Sequence, residues 1–157
     1  MNNIFSKHIL LDLVCFMWVL LFVDKLLRLV LEKRKVWDVR SQRLFSAGER
    51  IALGSTKTKL IEGYATVSEV KKLTVAEMKQ HNDKHLANDF IEKRWNDRAW
   101  LYAFVLSEIT NNPNPKPYPR SHGSSKVKLE RPSLFQKLTS KTNDYNHLTN
   151  AQRSVSP

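Results

Sequence analysis

The chain has 157 residues, of which 41% are hydrophobic and 26% are charged, and its formal net charge is +11. This length leaves room for one domain with a single core and a tail, and the positive charge favours an anionic partner such as RNA, DNA or an acidic membrane. The single cysteine, Cys15, excludes an intrachain disulfide and a cysteine zinc site, and it favours a reducing, cytoplasmic location.

The N-terminal part of the chain is strongly apolar. The sequence HILLDLV at residues 8–14 predicts a short buried strand, and apolar residues at intervals of three and four from Met17 to Lys33 predict a helix. The apolar run at residues 13–23 is shorter than the roughly 20 residues that span a bilayer, and no signal-peptide cleavage site follows it. We therefore expect no stable membrane insertion, with a membrane-attached interaction module held by residues 9–31 as an alternative.

A cluster of cations follows this helix in the sequence KRKVWDVR, at residues 33–40. From Lys35 onwards polar and apolar residues alternate, which predicts a strand. Side chains two positions apart lie on the same face of a strand, so Asp38 and Arg40 are expected to pair or to share a ligand. Trp37 would lie on the other face, in the core.

The middle of the chain contains two further predicted strands, at residues 47–55 and 59–70, with a bulge or close approach at Gly63. Thr74 is followed three residues later by Glu77, which is the capping box of a helix N-terminus. This helix is predicted to run to about Phe90.

The C-terminal part begins with a predicted central strand at residues 99–109, which is rich in aromatic and branched side chains. Several prolines at residues 111–125 predict an irregular segment, and SKVKL at residues 125–129 predicts a last short strand. Residues 131–157 are polar and cationic, which predicts a flexible tail. The pattern as a whole indicates a small α+β domain over residues 1–130, with five to six strands in a bent or closed sheet and two or three helices.

The cationic segment resembles the hallmark of the ASCH (activating signal cointegrator homology) domain, G-x-K-x-x-E-x-R. Lys35 and Arg40 match its Lys and Arg, whereas Lys33 stands where the family has Gly and Asp38 where it has Glu. The resemblance continues through GERIALGSTKTKLIEGYATVSEV and LTVAEM to the connection PKPYP, and covers about residues 8–129. It implies a PUA-like β-barrel.

The resemblance also implies a function, the binding of RNA or a nucleotide in a basic cleft of the barrel. Lysine and arginine supply charge-assisted donors for a phosphate or a base edge, and an aspartate can orient the guanidinium or accept from an exocyclic amine. The predicted ligand-binding residues are Lys33, Arg34, Lys35, Asp38, Arg40 and Ser55.

An enzymatic alternative remains open. Some ASCH members resemble amidohydrolases that act on acetylated cytidine with a Lys, a Thr and a Glu, and their Thr corresponds to Asp38 here. In an enzyme of this kind Lys35 and Asp38 would be the catalytic candidates, with Glu69 or Glu77 as a second carboxylate. His81 and His85 are one helical turn apart, but no third ligand accompanies them, so we expect neither a metal nor a cofactor.

Overall fold

The computed structural model describes residues 16–120 and 123–130, and Met17–Leu129 form a compact unit. The predicted strand at residues 8–14, Cys15 and the predicted tail at residues 131–157 lie outside the described residues. In chain order the elements are β1 (Phe16–Phe22), α1 (Asp24–Leu31), β2 (Trp37–Arg40), β3 (Arg50–Ser55), β4 (Leu60–Thr74), α2 (Val75–Lys79), α3 (Asn82–His85), α4 (Asn88–Arg94), β5 (Trp100–Pro117) and β6 (Lys126–Glu130).

The six strands form one sheet in the order β2-β5-β4-β3-β1-β6. Strands β1 and β3 are parallel, whereas β3, β4, β5 and β2 pair antiparallel. The prediction of an α+β domain with five to six strands is confirmed. The sheet is not closed by hydrogen bonds, because within residues 16–120 and 123–130 no pairing joins β2 to β6. Register shifts interrupt β4 at three places, and bulges of this kind bend a strand and increase its twist.

The first strand corrects the predicted helix at residues 17–33. Residues 16–22 form β1, and the helix begins only at Asp24. Leu20 and Phe22 pack in the core beneath α1, while Val19 and Leu21 pack in a second cluster on the opposite face. A strand that is buried on both faces has a continuous apolar sequence, which periodicity alone does not distinguish from a buried helix.

The predicted bulge at Gly63 is confirmed. The register between β4 and β5 shifts between Ile61 and Gly63. A Cβ at Gly63 would lie 2.5 Å from Leu31 Cδ2 and 2.7 Å from the carbonyl oxygen of Thr110. The absence of a side chain therefore lets α1 and β5 approach this strand closely.

Strand β5 corrects the predicted irregular segment, because it continues through the prolines to Pro117. The backbone N–H of Tyr118 donates to the carbonyl oxygen of Lys59, just before β4. Alternation directs the ring nitrogen of the preceding Pro117 away from β4. Pro113 and Pro115 lie between the pairs Gly63–Asn111 and Ile61–Lys116, where the register of β4 and β5 shifts. On the other side of β5, β2 pairs with Tyr102–Val105, well before the prolines. The strand therefore accommodates its prolines at an irregular stretch of the pairing and at a position that needs no donor towards β4.

The predicted helix from Thr74 to Phe90 is instead three short helices, α2, α3 and α4. The capping box at its start is confirmed, since Thr74 Oγ1 accepts from the Glu77 backbone N–H and the Glu77 carboxylate accepts from that of Thr74. The interruption between α3 and α4 lies at Leu86, whose φ of 51° is left-handed and incompatible with a continuing right-handed helix. Helices α2 and α4 pack on one face of β2 and β5 through a cluster that includes Met78 and Ile91.

Candidate functional site

A tight turn at the end of α1 leads towards β2. Lys33 has a φ of 60°, and the backbone N–H groups of Lys33 and Arg34 donate to the carbonyl oxygens of Val30 and Leu29, both at 2.9 Å. This is the Schellman motif, whose left-handed position is usually a glycine. The Gly of the ASCH hallmark corresponds to Lys33. In this chain a lysine therefore occupies the left-handed position of the turn, where the hallmark has a glycine.

Lys35 follows this turn and is buried, with 1% of its surface exposed. Its Nζ donates to the carbonyl oxygens of Trp37 at 2.8 Å and of His85 at 2.6 Å. An ammonium group has three N–H donors, so one remains after these two bonds. Burial lowers the pKa of Lys35 to about 8; the nearby Asp38 carboxylate opposes this shift, and the Arg40 guanidinium adds to it.

Asp38 and Arg40 form the pair that strand alternation predicts. Arg40 Nε donates to Asp38 Oδ2 at 2.7 Å, while Trp37 and Val39 pack on the opposite face against α2 and α4. Arg40 Nη2 also donates to the carbonyl oxygen of Leu21 at 3.0 Å. The guanidinium therefore connects β2 to β1, although three other strands lie between them in the sheet order.

Lys35, Asp38 and Arg40 line one cavity of about 800 Å³. This volume is within the usual range for sites that bind small molecules. The charged residues of the lining are Lys35, Asp38, Arg40 and Asp89. Carboxylates and cations are thus equal in number, so the lining is not basic in itself, unlike the cleft that the sequence predicts.

Helices α3 and α4 contribute a wall of this cavity that sequence reasoning missed. It contains the polar residues Asn82, Asn88 and Asp89 and the apolar residues Leu86, Phe90 and Trp95. The side chain of Asn88 donates to the carbonyl oxygen of Lys79 at 3.0 Å, whereas its Oδ1 is buried and has no hydrogen-bond partner among the described residues. The sequence predicts one continuous helix in this region. The wall depends on the breaks between α2, α3 and α4, which bring these residues to the cavity beside β2.

The other predicted site residues are not part of this lining. Lys33 and Arg34 are exposed, and Arg34 lies 3.5 Å from Glu32 in an ion pair. Ser55 is buried, and its Oγ accepts from the backbone N–H groups of Lys57 at 3.2 Å and Thr58 at 3.1 Å. These three residues therefore contribute to turns near the site.

Neither proposed second carboxylate reaches the cavity. Glu77 caps α2 through Thr74, whose backbone N–H and hydroxyl lower the pKa of the Glu77 carboxyl. Glu69 pairs with Lys71 at 2.6 Å on β4. Asp89 is the carboxylate that accompanies Asp38 in the lining, and no sequence motif singles it out.

The two histidines have structural contacts. His85 is buried, its Nε2 lies 2.9 Å from the carbonyl oxygen of Met78, and its Nδ1 accepts from the backbone N–H of Ala87 at 3.0 Å. The His81 ring lies 4.9 Å from that of Trp37. Within residues 16–120 and 123–130, no three His, Cys, Asp or Glu side chains are grouped so that they could hold a metal ion.

The membrane alternative depends on a long apolar helix. None of the helices in the described part of the chain has the length and apolar character that crossing a bilayer requires. In this region the apolar segment of residues 16–22 is a strand of the sheet.

Comparison of the sequence with protein-family models gave no match, and neither did comparison with curated proteins. Comparison of the structure did give matches. The crystal structure of ASCH from Zymomonas mobilis is 17% identical, with a TM-score of 0.65, and the match covers 79% of this chain and 94% of that one. Two mutant structures of the same protein match with the same TM-score, at 17% and 16% identity, and cover 79% and 80% of this chain and 96% and 95% of theirs. The chain therefore has the fold of an ASCH domain, as the resemblance in the sequence predicted.

Proposed function

We propose that this protein binds an unpaired segment of RNA, or a nucleotide, in the cavity lined by Lys35, Asp38 and Arg40. The observation that supports the proposal is the convergence of these three groups on one cavity of about 800 Å³. The resemblance to the ASCH hallmark, in which two of the three residues match, is consistent with it. The net charge of +11 would attract a polyanion from a distance.

The available donors and acceptors suit a nucleotide. Arg40 uses Nε for Asp38 and Nη2 for Leu21, which leaves Nη1 for a phosphate or a base edge. Lys35 has one N–H left after its two carbonyl partners. The carboxylates of Asp38 and Asp89 can accept from the exocyclic amines of adenine, cytosine or guanine, so we expect these bases to be preferred over uracil.

Arg40 is the best residue for testing this proposal. Replacing Lys35 with a shorter or acidic residue would leave two buried carbonyl oxygens without their donor, which destabilises the fold. Arg40→Gln removes the cation and keeps a polar side chain. Arg34→Gln is the matched control, because it makes the same change of charge at an exposed residue outside the cavity.

We expect Arg40→Gln to weaken binding of a single-stranded octa-adenylate about tenfold or more, because charge-assisted hydrogen bonds are lost. Arg34→Gln should bind within about twofold of the unmodified protein, since exposed charges contribute little. Fluorescence anisotropy measures both affinities, and thermal unfolding verifies that each variant is folded. Equal affinities for a folded Arg40→Gln and the unmodified protein would contradict the proposal.

The environment of Lys35 favours a second candidate function, an amidohydrolase for acetylated cytidine. A lysine whose pKa is about 8 is partly neutral near physiological pH and can accept a proton as a general base. Incubation of the protein with N4-acetylcytidine should then release cytidine and acetate, and a Lys35→Met variant that thermal unfolding shows to be folded should release neither. If the folded, unmodified protein produces no cytidine, this substrate is excluded.

A further inference from the structure

Phe90 of α4 and Trp95, directly after this helix, suggest how the cavity recognises its ligand. This inference deepens the proposed function and rests on it. Phe90 is a large apolar side chain with 48% of its surface exposed. Its neighbour Ile91 is fully buried in the cluster beneath α4, so the helix presents Phe90 away from this core. Phe90 lines the same cavity as Lys35 and Arg40.

Exposure alone does not distinguish Phe90, because single exposed apolar side chains are ordinary on protein surfaces. Trp100 is also 48% exposed, but it is not part of the cavity lining, and Lys72 Nζ lies over its ring at 5.0 Å. Phe90 differs from Trp100 because its exposed ring lies on the wall of a cavity that also contains charged groups.

Trp95 holds the Phe90 ring in place. The two ring centroids are 4.9 Å apart, and the planes make an angle of 80°, which is the edge-to-face geometry that aromatic pairs prefer. Trp95 itself is partly buried against the cluster beneath α4. The two rings therefore meet edge to face, and Trp95 is a positioning residue in this arrangement.

The lining of the cavity thus has two kinds of surface. Lys35, Asp38 and Arg40 offer hydrogen bonds and charge, whereas Leu86, Phe90 and Trp95 offer apolar area. A phosphate or a sugar alone would leave the aromatic wall in contact with water. A nucleobase joined to a sugar phosphate has both a flat apolar face and polar edges, and unpaired bases commonly stack on aromatic side chains in this way.

We infer that Phe90 is the stacking surface for an unpaired base of the ligand, so that the cavity recognises a base and not only a phosphate. In a duplex both faces of a base are covered by its neighbours. The inference therefore selects single-stranded RNA, or a free nucleotide, as the ligand.

The test uses the full chain and two labelled probes, an octa-adenylate and the corresponding ribose-phosphate octamer without bases. The unmodified protein should bind the octa-adenylate more tightly. Phe90→Leu keeps an apolar side chain but removes the ring, and should weaken octa-adenylate binding roughly 5- to 150-fold while leaving the abasic affinity unchanged. Phe90→Trp should bind within about threefold of the unmodified protein, since stacking on tryptophan is equally possible.

Trp100→Leu is the matched control, because it removes an equally exposed aromatic ring outside the cavity. It should leave both affinities unchanged. For a mononucleotide ligand, the corresponding test compares the affinities of each protein for AMP and for ribose 5-phosphate, which lacks the base.

The outcomes separate this inference from the proposed function. If Arg40→Gln weakens binding and Phe90→Leu does not, the cavity binds the ligand without stacking, and the inference is wrong while the proposed function stands. Equal affinity of the unmodified protein for the base-containing and abasic probes would also overturn it. If the unmodified protein binds none of the probes, both proposals fail.

Discussion

Lys35 is a charged residue in a position where lysines are seldom found, almost completely buried between the start of β2 and helix α3. Its two carbonyl partners, Trp37 and His85, compensate part of the cost of removing the ammonium from water. The pKa, lowered to about 8, shows that this compensation is incomplete. Lys35 therefore contributes to positioning α3 and is also a titratable group within the cavity.

The lowered pKa of Lys35 makes stability depend on pH. Below about pH 8 Lys35 is protonated in both the folded and the unfolded chain, and above about pH 10.5 it is neutral in both. Between these values the unfolded chain binds more protons, so the free energy of unfolding rises with pH. Relative to Lys35→Met, the unmodified protein should gain up to about 3 kcal/mol across this window.

Denaturant titrations of both proteins from pH 7 to pH 11 measure this difference. Other groups, including Tyr118, whose pKa is raised by burial, titrate in both proteins and cancel. A difference that is constant over the whole range would show that Lys35 has an unshifted pKa.

Lys33 gives a second prediction at the scale of a single residue. Its backbone is left-handed, which costs a residue with a Cβ roughly 1 kcal/mol relative to glycine. Lys33→Gly should therefore stabilise the protein by about 0.5–1 kcal/mol, and it should leave ligand affinity unchanged because Lys33 is outside the cavity. Arg34→Gly, one residue later in the same turn, is the control and should not be stabilising. Chemical denaturation measures both changes, and a destabilised Lys33→Gly would contradict the prediction.

Sequence patterns could predict the relation between Asp38 and Arg40, because alternation along a strand is a local property. They could not predict that Phe90, Trp95 and Asp89 share a cavity with this pair. That arrangement depends on the break at Leu86, where a left-handed residue of ordinary type occurs without a glycine or proline to signal it. The residues missed in the site are thus those whose position depends on how α3 and α4 fold back.

At the scale of the elements, α1 packs closely against the bulge of β4 at Gly63. A methyl group there would meet both Leu31 and the backbone oxygen of Thr110. The side chain can move aside, but the backbone oxygen cannot do so without disturbing the pairing of β4 with β5.

Gly63→Ala should therefore destabilise the protein by about 1–3 kcal/mol. Glu69→Ala, at an exposed position of the same strand, should change stability by no more than about 0.5 kcal/mol. Denaturant unfolding compares the two variants. An unchanged stability of Gly63→Ala would mean that α1 and β5 leave more room around Gly63 than these distances indicate.

The elements also show which sequence signals are reliable. The capping box at Thr74 and Glu77 was identified from the sequence because both partners lie within one turn of the chain. Strand β1 was predicted as a helix, since a run that is apolar on both faces has no alternation to mark it as a strand. The prolines of β5 predict an irregular segment, but Pro113 and Pro115 lie at the register shift between β4 and β5, and Pro117 directs its ring nitrogen away from β4. Both circumstances are properties of the sheet and not of the local sequence.

At the scale of the whole molecule, the net charge of +11 and the balanced charges of the cavity predict different behaviour in salt. Binding by the overall charge, including the tail, would involve many phosphates. Binding within the cavity would involve only the one or two phosphates that Lys35 and Arg40 can contact.

We therefore expect a shallow dependence of affinity on salt. For octa-adenylate, the logarithm of the association constant should fall against the logarithm of salt concentration with a slope of about −0.7 to −1.4, since each phosphate contact with a single strand contributes about −0.7. Arg40→Gln should make the slope shallower by about 0.7, and Arg34→Gln should not change it. A slope of about −3 or steeper that is unaffected by Arg40→Gln would indicate binding over the general surface.

The hydrogen bond from Arg40 to the carbonyl oxygen of Leu21 also affects the shape of the cavity. It ties an edge strand to a distant one, and both Arg40 and Leu21 border the cavity. A single guanidinium thus joins two non-adjacent strands at the border of the cavity. We expect a shorter side chain at this position to release β2 from β1 at this point, so that the shape of the cavity as well as its charge depends on Arg40.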